Sequence, residues 1–387
     1  MIFHSDYQSL TLLFFVLNEL IFSIILIRKG IKEGIASDRW LGLLILLCAL
    51  YMTPWMLGKA GWYAEPGYRE FLLFIPFHQY FLFGPVMYFF TRKLTGDRIK
   101  LGERIWIHFI PAGLYLLYSI CVIITDLIIL DEYYFYRDGT DKDFEPWYQI
   151  TGLVSMIIYA ILSIAKYSNF RQSIYQTVSF ADAIRLRWLK NFLVSLVLII
   201  TFRGLFVVIF PEMGDWGIKW WYYLIFGLIS YYLGISGLMS SVRLSIYEIK
   251  GLSHSTVEKV KTGPDSETMD LIFQKVNYLF EESKLYKDPG LSLHQVAKAV
   301  ESNTSILSRV INEKAQMNFN DFVNAYRVAS VKASLVDGEL NYKTLVGVAM
   351  DHGFNSKSTF IRSFKKSEGK TPSEYYKSIN KINSSGK

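Results

Sequence analysis

Two arginines occupy the same place in two short, related stretches of this sequence. Asn303 is followed four and eight positions later by the apolar residues Leu307 and Ile311, with Arg309 at the sixth. Ser356 is followed in the same way by Phe360 and Phe364, with Arg362 at the sixth. A polar cap and an apolar pair at i, i+4 define a helix with one buried face, and the sixth position lies on another. There a guanidinium offers a planar fork of donors that fits phosphate or the edge of guanine. A different chemistry attaches to Glu19, His78 and Arg203, ionisable residues set inside long apolar runs. Such groups are costly in hydrocarbon and are kept for packing or for function. No H-E-x-x-H, G-x-S-x-G or P-loop pattern is present. Cys48 and Cys121 lie within apolar runs without metal-ligand spacing, and both are expected to be buried. The sequence therefore predicts no catalytic residue, no metal and no cofactor.

The elements that must hold the two arginines form an internal echo. Ser292-Leu-His-Gln-Val-Ala and Thr344-Leu-Val-Gly-Val-Ala each open a short helix on a capping hydroxyl, with Val and Ala packed inward. After a short turn, each is followed by one of the arginine-bearing helices. Short helix, turn and amphipathic helix make a helix-turn-helix, and the pattern occurs twice. Gly353 suits a left-handed turn residue between the second pair. Between the copies, Asn318 caps a longer helix with Asp321 at the capping-box position, and Phe322, Tyr326, Ala329 and Ala333 make one apolar stripe. A helix of that length fixes a separation, and the natural one on B-DNA is one turn, about 34 Å. Gly369 ends the last amphipathic helix, and Thr371-Pro-Ser-Glu374 is a capping box with proline at the first helical position.

The first 240 residues are of another kind. The chain of 387 residues is 51% hydrophobic and only 19% charged, and nearly all of that bias lies before residue 240. Apolar stretches at 10–27, 40–57, 71–90, 105–125, 149–165, 188–210 and 217–239 are each long enough for a transmembrane helix, which predicts about seven. Basic residues gather in alternate loops: Arg28, Lys29, Lys32 and Arg39, then Arg92, Lys93, Arg98, Lys100 and Arg104, then Lys166, Arg171, Arg185, Arg187 and Lys190. These loops face the cytoplasm, which puts the N-terminus outside and delivers the C-terminal half inside. The N-terminal segment lacks the basic region of a cleaved signal peptide. In this arrangement Glu19, His78 and Arg203 all fall roughly 10–13 Å inside the outer surface, at about 1.5 Å per residue. A Glu19–Arg203 pair with His78 nearby is the expected lining of an effector pocket, or a buried pair that fixes packing.

In the C-terminal half, GFNSKSTFIRSFKKSEGKTPSEY from Gly353 to Tyr375 resembles the signature of AraC/XylS-type transcriptional regulators. LSRVINE from Leu307 to Glu313, with FNDFVNAYR from Phe319 to Arg327, resembles the first helix-turn-helix of the same family. The likeness spans about residues 270–376. Glu301 departs from it, because many members carry glycine at that point in the first turn. The resemblance implies base-reading roles for Ser305, Ser308 and Arg309 in the first unit, and for Lys357, Ser358, Thr359 and Arg362 in the second. It implies phosphate contacts for Lys365, Lys366 and Lys370. Double-stranded DNA and RNA polymerase are the implied partners, and a homodimer would lengthen the recognised site. The N-terminal half is similar in architecture to the polytopic sensor half of membrane-bound members.

The expected fold is all-α: a transmembrane bundle at 1–240, a linker at 241–266, the two-unit DNA-binding domain at 267–380 and a disordered tail at 381–387. The expected location is the bacterial cytoplasmic membrane, with the lipid bilayer and an unknown effector as further partners. The net charge of +7 suits either nucleic acid or anionic lipid. The rival reading is a membrane transporter or enzyme with a C-terminal interaction module. Pro54, Pro76, Pro85 and Pro111 show no repeat of the kind that marks transporter halves.

Overall fold

The computed structural model describes residues 6–96, 104–137, 141–179, 181, 187–209, 216–244, 265–337 and 339–385, and every regular element among them is helical. The chain divides into two compact units. One comprises Met1–Tyr167 and Arg187–Glu248, the other Ser168–Leu186 and Ile249–Lys387. The second unit therefore takes in a piece of chain that sequence reasoning assigns to the first.

The first unit holds α1 (Tyr7–Lys32), α2 (Ala36–Lys59), α3 (Pro66–Phe74), α4 (Tyr80–Leu94), α5 (Ile110–Ile124), most of α6 (Pro146–Thr177), α7 (Arg187–Ile209) and α8 (Trp216–Leu244). Helices α1 and α2 pair, α8 packs on both, and α4 packs on α2. The outward faces are apolar, and the buried faces carry polar and small residues among apolar ones such as Leu12, Phe15, Val16 and Leu26. On α1, Ser9, Glu19, Ser23 and Gly30 are buried, while Phe14, Leu17, Ile21 and Ile24 are 50–52% exposed. Ile157, Ile158 and Ile161 on α6 also face outward. Gly234 and Gly237 on α8 lie so close to Phe22 and Leu41 that a Cβ at either would collide. Small residues at such crossings let the helices approach closely.

Among the described residues, five helices have the length and composition to cross a membrane: Tyr7–Lys32, Ala36–Lys59, Ile105–Ile129, Pro146–Thr177 and Trp220–Met239. The expected third span, 71–90, is not one helix, because α3 stops at Phe74 and α4 starts at Tyr80. Pro76 lacks an amide hydrogen and forces Ile75 out of the helical region. The freed backbone is satisfied from the side. His78 N donates to Asp143 Oδ2 at 2.9 Å, and the Tyr148 hydroxyl donates to His78 O at 2.6 Å. The expected sixth span is helical, as α7. Cys48 is buried as expected, but Cys121 is exposed on α5 beside outward-facing Leu117 and Ile120.

The second unit contains α9 (Ser266–Glu281), α10 (Leu293–Ala299), α11 (Thr304–Ala315), α12 (Phe319–Val336), α13 (Leu345–Asp351), α14 (Lys357–Glu368) and α15 (Pro372–Ser385). Two cores share α12. Phe322 and Val323 join Val276, Phe280, Val296, Leu307, Val310 and Ile311, whereas Val328, Val331 and Leu335 join Val348, Ala349, Phe354, Phe360 and Phe364. Each such large side chain contributes about 1.5–3 kcal/mol on burial. The expected single stripe on α12 is corrected by this arrangement. Ala329 and Ala333 are exposed, because the helix serves two cores on successive sides and larger residues fill both. Helix α15 runs to Ser385, so 381–385 are helical where a disordered tail is expected, and 386–387 lie outside the described residues. Of the expected linker at 241–266, residues 241–244 end α8, Ser266 begins α9, and 245–264 lie outside the described residues.

Candidate nucleic-acid interface

Each helix of the two pairs is fixed at its start by a side-chain cap. Ser292 and Gln295 form a full capping box on α10, Asn303 Oδ1 accepts from Ile306 N at 2.8 Å on α11, and Thr344 Oγ1 accepts from Gly347 N at 3.0 Å on α13. On α14, Ser356 Oγ accepts from Thr359 N at 3.2 Å. On α12, Asn318 Oδ1 accepts from Asp321 N at 2.9 Å. Each cap is worth about 1 kcal/mol, and it also sets where the helix begins, hence which way the sixth residue points.

The turns inside the pairs use a left-handed residue, Glu301 at φ 57° and Gly353 at φ 90°. Gly353 is doubly required, since a Cβ there would lie 2.7 Å from the carbonyl oxygens of Tyr286 and Lys287. Glu301 does the same job with a side chain.

With the apolar faces of α11 and α14 buried, Arg309 and Arg362 are both exposed. Arg309 Nε donates to Glu313 Oε1 at 2.6 Å. Both partners of that pair are about half exposed, so it is weak enough to be exchanged for a better acceptor. Ser305 and Ser308 are half-buried near the start of α11, and Lys357 and Ser358 are exposed at the start of α14. Thr359 is different, being 1% exposed with its hydroxyl 2.8 Å from Ser356 Oγ. It faces the interior. Lys365 and Lys370 are exposed, whereas Lys366 Nζ donates to Asp321 Oδ2 at 2.6 Å and ties α14 to the start of α12. Lys332 Nζ and Glu368 Oε2, 2.8 Å apart, tie the same two helices. That contact raises the lysine pKa and lowers the glutamate's.

Sequence reasoning passes over Arg327, which is buried on α12. Burial pushes its pKa down to about 10, so it is still charged at neutral pH. The one signal is positional, because Arg327 sits four residues from both Val323 and Val331 on the inner face.

In the first unit, Glu19, His78 and Arg203 are all buried, but they do not form one network. Glu19 accepts from Ser230 Oγ, and His78 pairs with Asp143. Arg203 donates to the Tyr51 hydroxyl and to Gln149 Oε1, and it stacks 4.3 Å from the Tyr80 ring. The expected Glu19–Arg203 pair is replaced by these separate partners. Tyr51 does join two of the three, since its ring also lies 5.0 Å from that of His78. Arg203, Tyr51, Tyr80 and Tyr222 line a cavity of about 30 Å³, room for a water or two. Nε of Arg203 is buried there without a hydrogen-bond partner.

Residues 296–378 match the helix-turn-helix domain family. Over 101 residues the chain is 30% identical to an uncharacterized HTH-type transcriptional regulator of Staphylococcus aureus (strain COL), which covers 26% of this chain and 13% of that protein. Over 90 residues it is 29% identical to the melibiose operon regulatory protein of Escherichia coli (strain K12), covering 23% of this chain and 29% of the relative. A solved structure of a protein of unknown function from Listeria innocua is 27% identical and covers 27% of this chain and 94% of that one, with a TM-score of 0.24, too low to bear on the fold. The chain thus spans under a third of the length of either curated relative. The C-terminal part of this chain is a helix-turn-helix domain. Over these residues it is similar to HTH-type transcriptional regulators, an operon regulatory protein among them.

Proposed function

We propose that the chain is a membrane-anchored, sequence-specific DNA-binding transcription factor whose helical bundle senses a signal. The observation that carries this reading is the repeated placement of an exposed arginine, six residues beyond a side-chain cap, on the second helix of each pair. In this reading α10–α11 and α13–α14 are two helix-turn-helix units, and α11 and α14 enter successive major grooves at a spacing set by α12. Arg309 and Arg362 grip guanine edges, with Ser305, Ser308, Lys357 and Ser358 as the other base readers. Thr359 shapes the start of α14 from within. Lys365, Lys366 and Lys370 bind phosphates, Lys366 exchanging Asp321 for one.

Membrane anchoring rests on the first unit's outward faces, which carry large apolar side chains such as Phe14, Ile21, Leu117 and Ile161, while ionisable Glu19, His78 and Arg203 are buried among its apolar core. Counting the broken α3–α4 segment and α7 with the five long helices gives seven crossings. The N-terminus then lies outside a bacterial cytoplasmic membrane, and the DNA-binding domain inside. The buried polar groups around Arg203 are the proposed point of effector action. The cavity there has room for only a water or two, so an effector must open it to bind. RNA polymerase and a second copy of the chain are further proposed partners.

Mapping of bound sites across the genome tests the reading, comparing the full chain with an Arg309→Ala/Arg362→Ala variant. The specific peaks collapse in the variant, and peaks of unaltered position and height would remove the assignment.

A further inference from the structure

The guanidinium of Arg327 is 1% exposed, and its hydrogen-bond acceptors are all neutral. Nε donates to the carbonyl of Tyr286 at 2.7 Å, Nη2 to that of Asp288 at 2.7 Å, and Nη1 to Asn324 Oδ1 at 3.2 Å. The rest of its shell comes from a distant part of the chain. Nη2 also donates to Ser179 Oγ at 3.1 Å, and Nη1 reaches the Ser179 carbonyl at 3.5 Å. The same short segment is held from two further sides. Ser179 donates to the Leu291 carbonyl through both its amide, at 3.0 Å, and its hydroxyl, at 2.8 Å. Asn320 Nδ2 donates to the Ser179 carbonyl at 2.7 Å, and Val178 makes an antiparallel bridge with Ser292. Val178, Ser179, Asn320 and Asn324 are all buried.

A surface built in this way fits a particular occupant. Without Ser179, a buried guanidinium and the carbonyl of Leu291 each lose partners that water cannot reach to replace. Ser179 follows directly on α6, a helix continuous from Pro146 to Thr177 that starts in the first unit. The socket lies on α12, the helix shared by both cores. We propose that residues 178–179 are a strap delivered by α6 and docked in an Arg327–Asn320 socket, and that this contact ties the DNA-binding domain to the bundle and carries the movements of α6 to α12. The carbonyls of Tyr286 and Asp288 hold the guanidinium from the other side, so a displaced strap must either drag α12 or leave. Those are two discrete arrangements, as a switch needs. The proposal rests on the bundle lying in the membrane, as argued above.

The test uses the full chain in membrane vesicles, with a protease site inserted between residues 245 and 264 and nuclease present throughout. After native cleavage, the C-terminal fragment stays with the vesicles. A Ser179→Pro variant, which leaves the C-terminal sequence untouched and suits an extended preceding residue, releases at least tenfold more of it. In a second arm, Val178→Cys with Ser292→Cys forms a disulfide when an oxidant (dissolved oxygen with a copper–phenanthroline catalyst) takes up the two electrons, because residues opposed across an antiparallel bridge lie about 4.5–5.5 Å apart at Cα. The two cleaved pieces then run as one until reduced. Equal release from the unmodified chain and from Ser179→Pro, or no more cross-linking than for Phe170→Cys with Ser292→Cys, would overturn the strap. A chain found in the soluble fraction before cleavage would sink the membrane reading instead, and the disulfide arm would still decide the contact.

Discussion

An arginine reads a base only if nothing on its own surface holds it more tightly. The exposed Arg309–Glu313 pair is worth about 0–1 kcal/mol, whereas a bidentate contact to guanine discriminates by about 1–3 kcal/mol. Arg309→Ala and Arg362→Ala should therefore each relax sequence preference at one position of the site, as competition with single-base variants would measure. Alanine at Lys365 or Lys370 should weaken all duplexes alike and reduce the salt slope by about 1. A loss of sequence preference on removing either lysine would contradict its assignment to phosphate. A buried histidine gives a prediction of another kind. His352 Nδ1 lies 2.6 Å from Ser330 Oγ and Nε2 2.9 Å from Ser334 Oγ. Tyr286 donates to Ser330 and Ser334 donates to Glu339, so the hydrogen bonds suit a neutral ring protonated at Nε2. Burial, and then nearby Lys287, lower its pKa below the usual 6.5. A group whose folded pKa is depressed contributes stability that is fully present above its unfolded pKa and is lost progressively as pH falls from that value through the lower folded one. Hydrogen-exchange protection of α12 and α13 should thus decline as pH drops below about 6.5. His352→Gln should flatten the decline, and an identical pH profile in that variant would refute it.

The turn within each helix pair shows what an element requires. Gly353 and Glu301 occupy equivalent left-handed positions, but only Gly353 is also crowded by backbone. A non-glycine residue there costs roughly 1–2 kcal/mol, partly offset by the extra freedom of glycine in the unfolded chain. Glu301→Gly should slow exchange in α10 and α11 by a gain of about 0.5 kcal/mol, and Gly353→Ala should destabilise α13 and α14 by well over 1 kcal/mol. Effects of equal size at the two sites would show that the backbone crowding at Gly353 adds nothing to the cost of the left-handed conformation. The helix pairs were legible in the sequence because caps, turn residues and i, i+4 stripes are local. Asn303, Ser356 and their apolar partners need no knowledge of the rest of the chain. The break at Pro76 had a local signal in the proline, which the long apolar run 71–90 masked. The groups that satisfy it, the inner face of α12 and the partners of Glu19 and Arg203 were not legible, because each depends on what lies across from it: Asp143 and Tyr148 for the break, two cores for α12, and Ser230, Tyr51 and Gln149 for the ionisable residues. Thr359 shows the limit of a resemblance, since its place in the motif implied a base contact and its burial assigns it to the interior.

At the scale of the whole molecule, apolar outward bundle faces and a helix-turn-helix domain join two chemistries in one chain. If the bundle is a sensor rather than an anchor alone, the buried guanidinium of Arg203 is its most exposed weakness. Arg203→Leu should change transcription from the mapped operators while the chain remains in the membrane fraction. Unchanged output from a correctly inserted variant would reduce the bundle to an anchor. The most direct measurement concerns the membrane and the DNA together. Vesicles bearing the full chain can be prepared inside-out or right-side-out and offered a labelled duplex taken from a mapped site, at low salt. Inside-out vesicles should retain it, right-side-out vesicles should not, and Arg309→Ala/Arg362→Ala should abolish retention over non-specific DNA. Retention by right-side-out vesicles, or retention indifferent to the two arginines, would contradict the account.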